Sequence, residues 1–559
     1  MPSVSKCIKG YDREQILGGL VANMVNKVVR KPFYNPRYRD DKSDIDTLRF
    51  FLSKRNKNLI FHSINAIKKI SIKEKIPLDQ YVGASEESIL YFVREIMSQE
   101  DTQEHLSDEK IEKNFYKALL ASNTHTLAKG KGRIPFPKDN LEMYLASLFL
   151  QQFGSVDFLY PDRKFLMMTQ TAKCIRFFEF AKEDSLLHPL VIDFCVKYGI
   201  KNWWMYPKAI WSIYGITKGQ AGIVNIFENQ LREADQYNSV IDKLSNMLTK
   251  KINKKDNIDY VAFRKKPFIK INKYEYVIFN FQLLIERIYS GLYFDFRDLA
   301  VKKGIGKDVF KQYYSTNFSE KSLFRGILKS ALKDGYDVVM NEDDCLAKDS
   351  SKDSSQTSKP DFYARKGNVV FLFENKDVLF AGKTKEQGTL QDYIDYLKTR
   401  FYKNEKGGNE GVLQLMDKVE KIRSGEFQRR WDFGCPRDAF IYPILIVPEA
   451  KFTVMGVKNY LQYWQRECKI STKNVKPIVL VDIGTVCLYQ YIINKIGLQI
   501  LVDDYLRQSD SQHIKSPMDI NDVPNAMMSF TDYLIHTDND TLSRFAAEWE
   551  NYIRKDENL

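Results

Sequence analysis

The sequence predicts a multidomain chain: a mainly α-helical N-terminal region followed by a domain of mixed α/β character. Three observations carry this. Apolar residues recur at three- and four-residue spacing through the first 250 residues. From about residue 305, short β-rich runs alternate with helical stretches. And 559 residues, 44% hydrophobic and 13% aromatic, is enough for more than one packed core.

Helical spacing is clearest at Glu86–Met97 and over 111–120, 141–153 and 240–248. Basic turns punctuate these, notably Lys129-Gly-Lys-Gly-Arg133 ahead of Pro135 and Pro137. Trp203, Trp204, Tyr206, Trp211 and Tyr214 gather around Pro207; packed core is the preferred reading over a base-stacking platform. The charged run 250–255 closes this region, so 1–255 reads as a recognition, sensing or oligomerisation module. Residues 256–304 read as a bridge, with a strand, polar turn and strand over 266–277 and a helix over 279–289.

In 305–508, Ser319 is expected to cap a helix through Leu323, Ile327, Leu328 and Leu332 that ends near Asp334-Gly335. A strand is expected at 336–340, then a loop over 341–359 rich in Ser, Asp and Lys. Strands follow at 361–364 and 369–374, joined by the hairpin turn Arg365-Lys-Gly-Asn368. Helices are expected at 390–402 and 411–422, and buried strands at 439–447 and 477–481. Residues 509–559 read as a C-terminal helical extension, and no internal repeat is visible.

Composition excludes several classes. With 17 Pro and 27 Gly the chain is neither collagen-like nor low-complexity. The most apolar stretch, near 145–160, is broken by Gln151, Gln152 and Asp157, so no membrane span is expected. The first eleven residues lack the apolar segment of a secretory signal, so a cytoplasmic location is expected. Seven scattered Cys and six dispersed His form no CxxC or HExxH, which argues against disulfides and zinc. Lys plus Arg number 85 against 72 acidic residues, a formal charge of +13 that favours a polyanionic partner; a generally Lys-rich proteome is the bland alternative.

The chemistry is concentrated in Pro360-Asp361 and the run Val-Val-Phe-Leu-Phe-Glu374-Asn375-Lys376. Glu374 and Lys376 are two apart on a strand and share a face, while Asn375 points away. The hairpin turn brings Asp361 back beside that face. Two carboxylates and an ammonium ending an apolar strand need a partner, and a hard cation supplies one. Mg²⁺ prefers oxygen ligands and keeps several waters, and the lysine then holds a water or balances charge on a phosphoryl oxygen.

This arrangement resembles the PD-(D/E)XK nuclease superfamily over roughly residues 305–490. The resemblance implies a restriction-endonuclease-like fold, with a central mixed β-sheet flanked by helices. It further implies that Asp361 and Glu374 coordinate Mg²⁺ (Mn²⁺ substituting), with the Asn375 backbone carbonyl as a further ligand and Lys376 as the water-positioning group. Glu320, on the preceding helix, and Gln414, on a later one, match assisting positions, with Gln391 as the weaker alternative to Gln414. The implied activity is metal-dependent hydrolysis of nucleic acid, DNA ahead of RNA and endonuclease ahead of exonuclease. Restriction or anti-phage defence is the implied setting, and double-strand cleavage from one site per chain would favour a homo-oligomer.

A second Pro-Asp pair, Pro161-Asp162, serves as an internal control: Asp162 would have to serve both halves of the motif, and no glycine hairpin follows. Structural readings stand beside the catalytic ones. Asp361 could cap a turn, Glu374 and Lys376 could form a surface ion pair, and Glu320 suits a first helical turn. Ala381-Gly-Lys-Thr384 lacks the first glycine of a phosphate loop, position 377 being Asp, so no nucleotide cofactor is expected. Arg429, Arg430 and Trp431 mix guanidinium and aromatic groups as nucleic-acid contacts do. The rival functions are a catalytically inactive nuclease-fold binding platform and a helical scaffold for a protein partner.

Overall fold

The computed structural model describes residues 3–8, 12–13, 16–17, 56–74, 86–100, 107–126, 128, 132–151, 162–217, 222–225, 234–248, 250–253, 258–348, 359–379, 382–468, 470, 473–511, 514, 522–538 and 540–557. The expected features at 129–131, 152–153, 254–255, 349–358 and Ala381 lie outside the described residues. Elsewhere the fold is mostly helical with two mixed sheets.

The smaller sheet consists of β1 (Gly222–Asn225), β2 (Ser245–Met247), β3 (Phe268–Lys270) and β4 (Glu275–Ile278), in the order β1-β4-β3-β2. The strand-turn-strand expected over 266–277 is therefore present, pairing antiparallel as β3 and β4. It is part of a sheet rather than a simple bridge, because β1 and β2 extend it from the N-terminal side. The helix expected over 240–248 is corrected here: Ala234–Lys243 is helical, and the chain then turns extended because β2 pairs alongside β3.

The larger sheet runs β5 (Val338–Asn341), β6 (Phe362–Lys366), β7 (Val369–Asn375), β8 (Phe440–Val447), β9 (Val479–Asp482), in sequence order. β5, β6 and β7 form an antiparallel meander, and β8 and β9 add parallel to β7. Alternation along the strands sorts apolar side chains to two faces. Phe371, Phe373, Tyr442, Ile444, Val479 and Val481 enter one cluster, while Val370, Leu372, Ile441, Leu445 and Leu480 enter the other. Parallel strands need crossovers. Leu390–Phe401 and Val412–Arg423 lead from β7 to β8, and Val457–Glu467 leads from β8 to β9; all three cover the second face.

The first face is covered by Gly326–Ala331 and Ile483–Ile496, and its cluster continues into the helical region through Arg163–Glu183. Over Phe165–Cys174 that helix is buried all round, and its later polar residues Arg176, Glu179 and Lys182 face solvent. Asp162 starts it by accepting the Phe165 N–H at 2.8 Å, so the aspartate of the control pair is a helix cap. Phe178 stacks on Trp203 with centroids 4.5 Å apart, and Trp203, Trp204 and Tyr206 are buried, placing the aromatic cluster in the core. One apolar cluster thus spans the helical region and one face of the sheet, and packing is continuous across residue 305. Among the described residues no single helix is long and apolar enough to cross a membrane.

Two further local expectations are corrected. Ser319 caps nothing: the helix begins at Lys307 and continues as a π-helix over Tyr314–Arg325, with Ser319 inside it. The start of the expected 341–359 loop is instead the helix Glu342–Lys348, capped by Asn341, whose side-chain oxygen accepts the Asp343 N–H at 2.8 Å.

Candidate active site

The hairpin β6–β7 closes at Gly367-Asn368, with Lys366 opposite Val369. Gly367 has φ +57°, which this tight turn needs and glycine adopts freely. Since Phe362 pairs with Phe373, Asp361 is carried beside the end of β7. There its Oδ2 accepts the Asn375 N–H at 2.7 Å. Burial pushes the Asp361 carboxyl up to about 7, and the charge of Glu374 adds to this; Lys418, the Asn375 N–H and Lys376 pull the other way.

Glu374 is 3% exposed, on the face covered by the crossover helix Val412–Arg423. Lys376 follows just beyond β7, its N–H donating to the Ile446 carbonyl at 2.9 Å and so extending the ladder. Its Nζ lies 3.4 Å from Glu374 Oε1, as the shared-face reading requires. It also lies 2.6 Å from Glu410 Oε2 and donates to Gln414 Oε1. An ammonium has three donors, and these acceptors match them.

The crossover helix therefore organises the site. Gln414 Oε1 also accepts the Gly411 N–H, at 2.9 Å, and Asn404 Nδ2 donates to Glu410 Oε1 at 3.0 Å. Gly411 turns the chain into this helix with φ +36°, and a Cβ there would sit 2.8 Å from the Phe401 carbonyl oxygen. One turn after Gln414, Lys418 is 1% exposed, and its Nζ donates to Glu374 Oε2 at 2.5 Å. Removing one partner of such a buried pair typically costs about 3–5 kcal/mol. Sequence reasoning missed Glu410 and Lys418. Their signal was the spacing Glu410-x₃-Gln414-x₃-Lys418, which aligns three polar residues on one helix face.

The remaining candidates separate. Gln391 is exposed and donates to Asp395 at 2.8 Å, so Gln414 alone of the two reaches Lys376. Glu320 pairs with Arg325, on the helix packed against the opposite sheet face, and contributes to raising the carboxyl of Asp377, behind burial as the main cause. Glu320 lies inside the π-helix Tyr314–Arg325, whose bonds run from i to i+5. Ser315 and Glu320 come to a similar side, and Ser315 Oγ donates to Asp377 at 3.2 Å. Trp431 is 1% exposed and packs edge-on against Phe427, so its ring is core and offers no stacking face. Arg430 pairs with Glu426 at 3.3 Å within the short helix Glu426–Arg430; only Arg429 of the trio is exposed. The Gly-Lys-Thr segment begins a helix anchored by Lys385 to Asp259 and by Glu386 to Arg94, a structural tie to the N-terminal region.

Among the described residues no group of three or more His, Cys, Asp or Glu is gathered for a metal. Asp361 and Glu374 still fit a hard divalent ion. One or two carboxylates, completed by carbonyl and water oxygens, is the usual Mg²⁺ donor set. The Asp361 carboxyl is raised chiefly by burial and next by the charge of Glu374, which Lys418 and Lys376 offset only in part. Comparisons with protein-family models, curated proteins and solved structures found no match.

Proposed function

We propose that this chain is a Mg²⁺-dependent nuclease with a restriction-endonuclease-like core, acting on nucleic acid, DNA ahead of RNA. One observation carries the reading: Asp361, Glu374 and Lys376 converge at the end of β7, on the sheet face beneath the crossover helix. The mixed five-stranded sheet, an antiparallel meander extended by two parallel strands, supports the reading, since the resemblance implies a central mixed sheet flanked by helices. The formal charge of +13 suits a phosphodiester substrate.

In this reading Asp361, Glu374 and the Asn375 carbonyl would hold Mg²⁺, which when bound supplies Lewis acidity toward a phosphoryl oxygen. The protein's own part is positioning. The Asn375 N–H orients the Asp361 carboxylate. Gln414 and Glu410 fix the Lys376 ammonium, which holds the attacking water or balances charge on the phosphoryl oxygen.

The rival is a nuclease-fold platform that binds nucleic acid without cutting. The ion pairs that Glu374 makes with Lys376 and Lys418 favour it, because they satisfy the carboxylate with protein charge. Cleavage of supercoiled plasmid, single-stranded DNA and RNA with Mg²⁺, Mn²⁺ or EDTA separates the two. Metal-dependent cutting that disappears in Glu374→Ala and Lys376→Ala supports the nuclease. Binding without cutting, equal in all three proteins, supports the platform.

A further inference from the structure

Both oxygens of Glu374 already face ammonium groups: Oε1 lies 3.4 Å from Lys376 and Oε2 lies 2.5 Å from Lys418. The two lysines are held differently. Lys376 is also retained by Glu410 and Gln414, so it keeps its place whatever happens at Glu374. Lys418 is turned to Glu374 from the crossover helix, sealed from solvent together with it, and its charge also acts on Asp361.

Building on the nuclease reading, we propose that Lys418 is a resident counter-cation that stands in for the divalent ion between Glu374 and Asp361, and that metal enters by exchange, with Lys418 giving up Glu374. Two physical demands lead there. Lys376 is shared with Glu410 and Gln414, so in the metal-free protein the buried acidic pair needs Lys418 for the rest of its compensating charge. Once a divalent ion sits on the same carboxylate, an ammonium within hydrogen-bond distance repels it through a low-dielectric interior. The exchange sets a threshold: the site fills only when free metal is high enough to outcompete an internal charge.

The test measures Mn²⁺ binding by electron paramagnetic resonance near pH 8, with thermal melts in EDTA or Mn²⁺. It uses the full chain as wild type, Lys418→Met, Lys418→Gln and the charge-retaining Lys418→Arg. The Met and Gln variants are expected to bind Mn²⁺ at least about tenfold more tightly than wild type. They are also expected to melt lower in EDTA and to recover with Mn²⁺, whereas Arg tracks wild type. Equal or weaker binding by Met and Gln overturns the exchange and leaves the nuclease reading standing. So do variants that stay unfolded at millimolar Mn²⁺, because the lysine is then purely structural. Absence of Mn²⁺ binding in every protein overturns both.

Discussion

Lys376 Nζ lies 2.6 Å from Glu410 Oε2, a contact between residues 34 apart in the chain. It ties the end of β7 to the N-terminus of the crossover helix, and with Gln414 it fixes where the ammonium can point. Glu410→Gln removes the charge of this hold while keeping a polar side chain. Single-turnover cleavage is expected to slow about tenfold with little change in the melting temperature, since misplacing one positioned group costs on the order of 1–2 kcal/mol. An unchanged rate would remove Glu410 from the positioning role.

Asp361 ties stability to pH. Its carboxyl is raised to about 7 in the fold, against about 4 in an unfolded chain, so ionising it favours unfolding. Its contribution is fully present below about pH 4 and is lost as pH rises through 7. In EDTA, Asp361→Asn should therefore stabilise the protein near pH 8, by of order 1–4 kcal/mol, and flatten the pH dependence of urea melts between 4 and 8. The same variant should abolish metal-dependent cleavage. A variant less stable than wild type at pH 8 would show that the carboxylate is instead structurally required.

Lys458 makes the opposite prediction. Burial pushes its ammonium down to about 7, and Glu142 and Asp510 only partly offset this; its Nζ donates to the Ser509 carbonyl at 3.1 Å. The unfolded chain then binds the extra proton between about pH 7 and 10.5, so this group makes stability rise with pH across that window. Urea midpoints for Lys458→Met should be higher than wild type at pH 7 and converge with it by pH 10.

Gly411→Ala tests the entry to the crossover helix. The substitution meets both a positive φ and the Phe401 carbonyl, so a loss of about 1–3 kcal/mol is expected in denaturant melts. Cleavage should fall further than stability, because Glu410 and Gln414 move with the turn. Retention of full activity would separate the turn from the site.

Arg429 and Trp431 part company in the same assays. Trp431→Ala empties a core position and should cost about 3–5 kcal/mol. Arg429→Ala, at an exposed position, should leave stability within about 0.5 kcal/mol. Any effect of Arg429→Ala on nucleic-acid affinity would be read from filter binding at low salt.

The features legible in the sequence are short in range. The β6–β7 hairpin, its glycine turn, the shared face of Glu374 and Lys376 and the return of Asp361 follow from a two-residue period and one tight turn, and all are present. The helix Glu86–Met97 was legible for the same reason, a local period written into consecutive residues. The partners those residues meet were set by long-range packing. Glu410, Gln414 and Lys418 become partners of the motif because a parallel strand pair requires a crossover, and this crossover lands on the face that carries Glu374. The strand at 245–247 and the burial of Trp431 also depended on neighbours distant in sequence. The π winding over Tyr314–Arg325 was likewise not legible in the sequence, where Ser319 is expected to start a helix. Local periodicity set the motif's own geometry, and long-range packing set its charge balance.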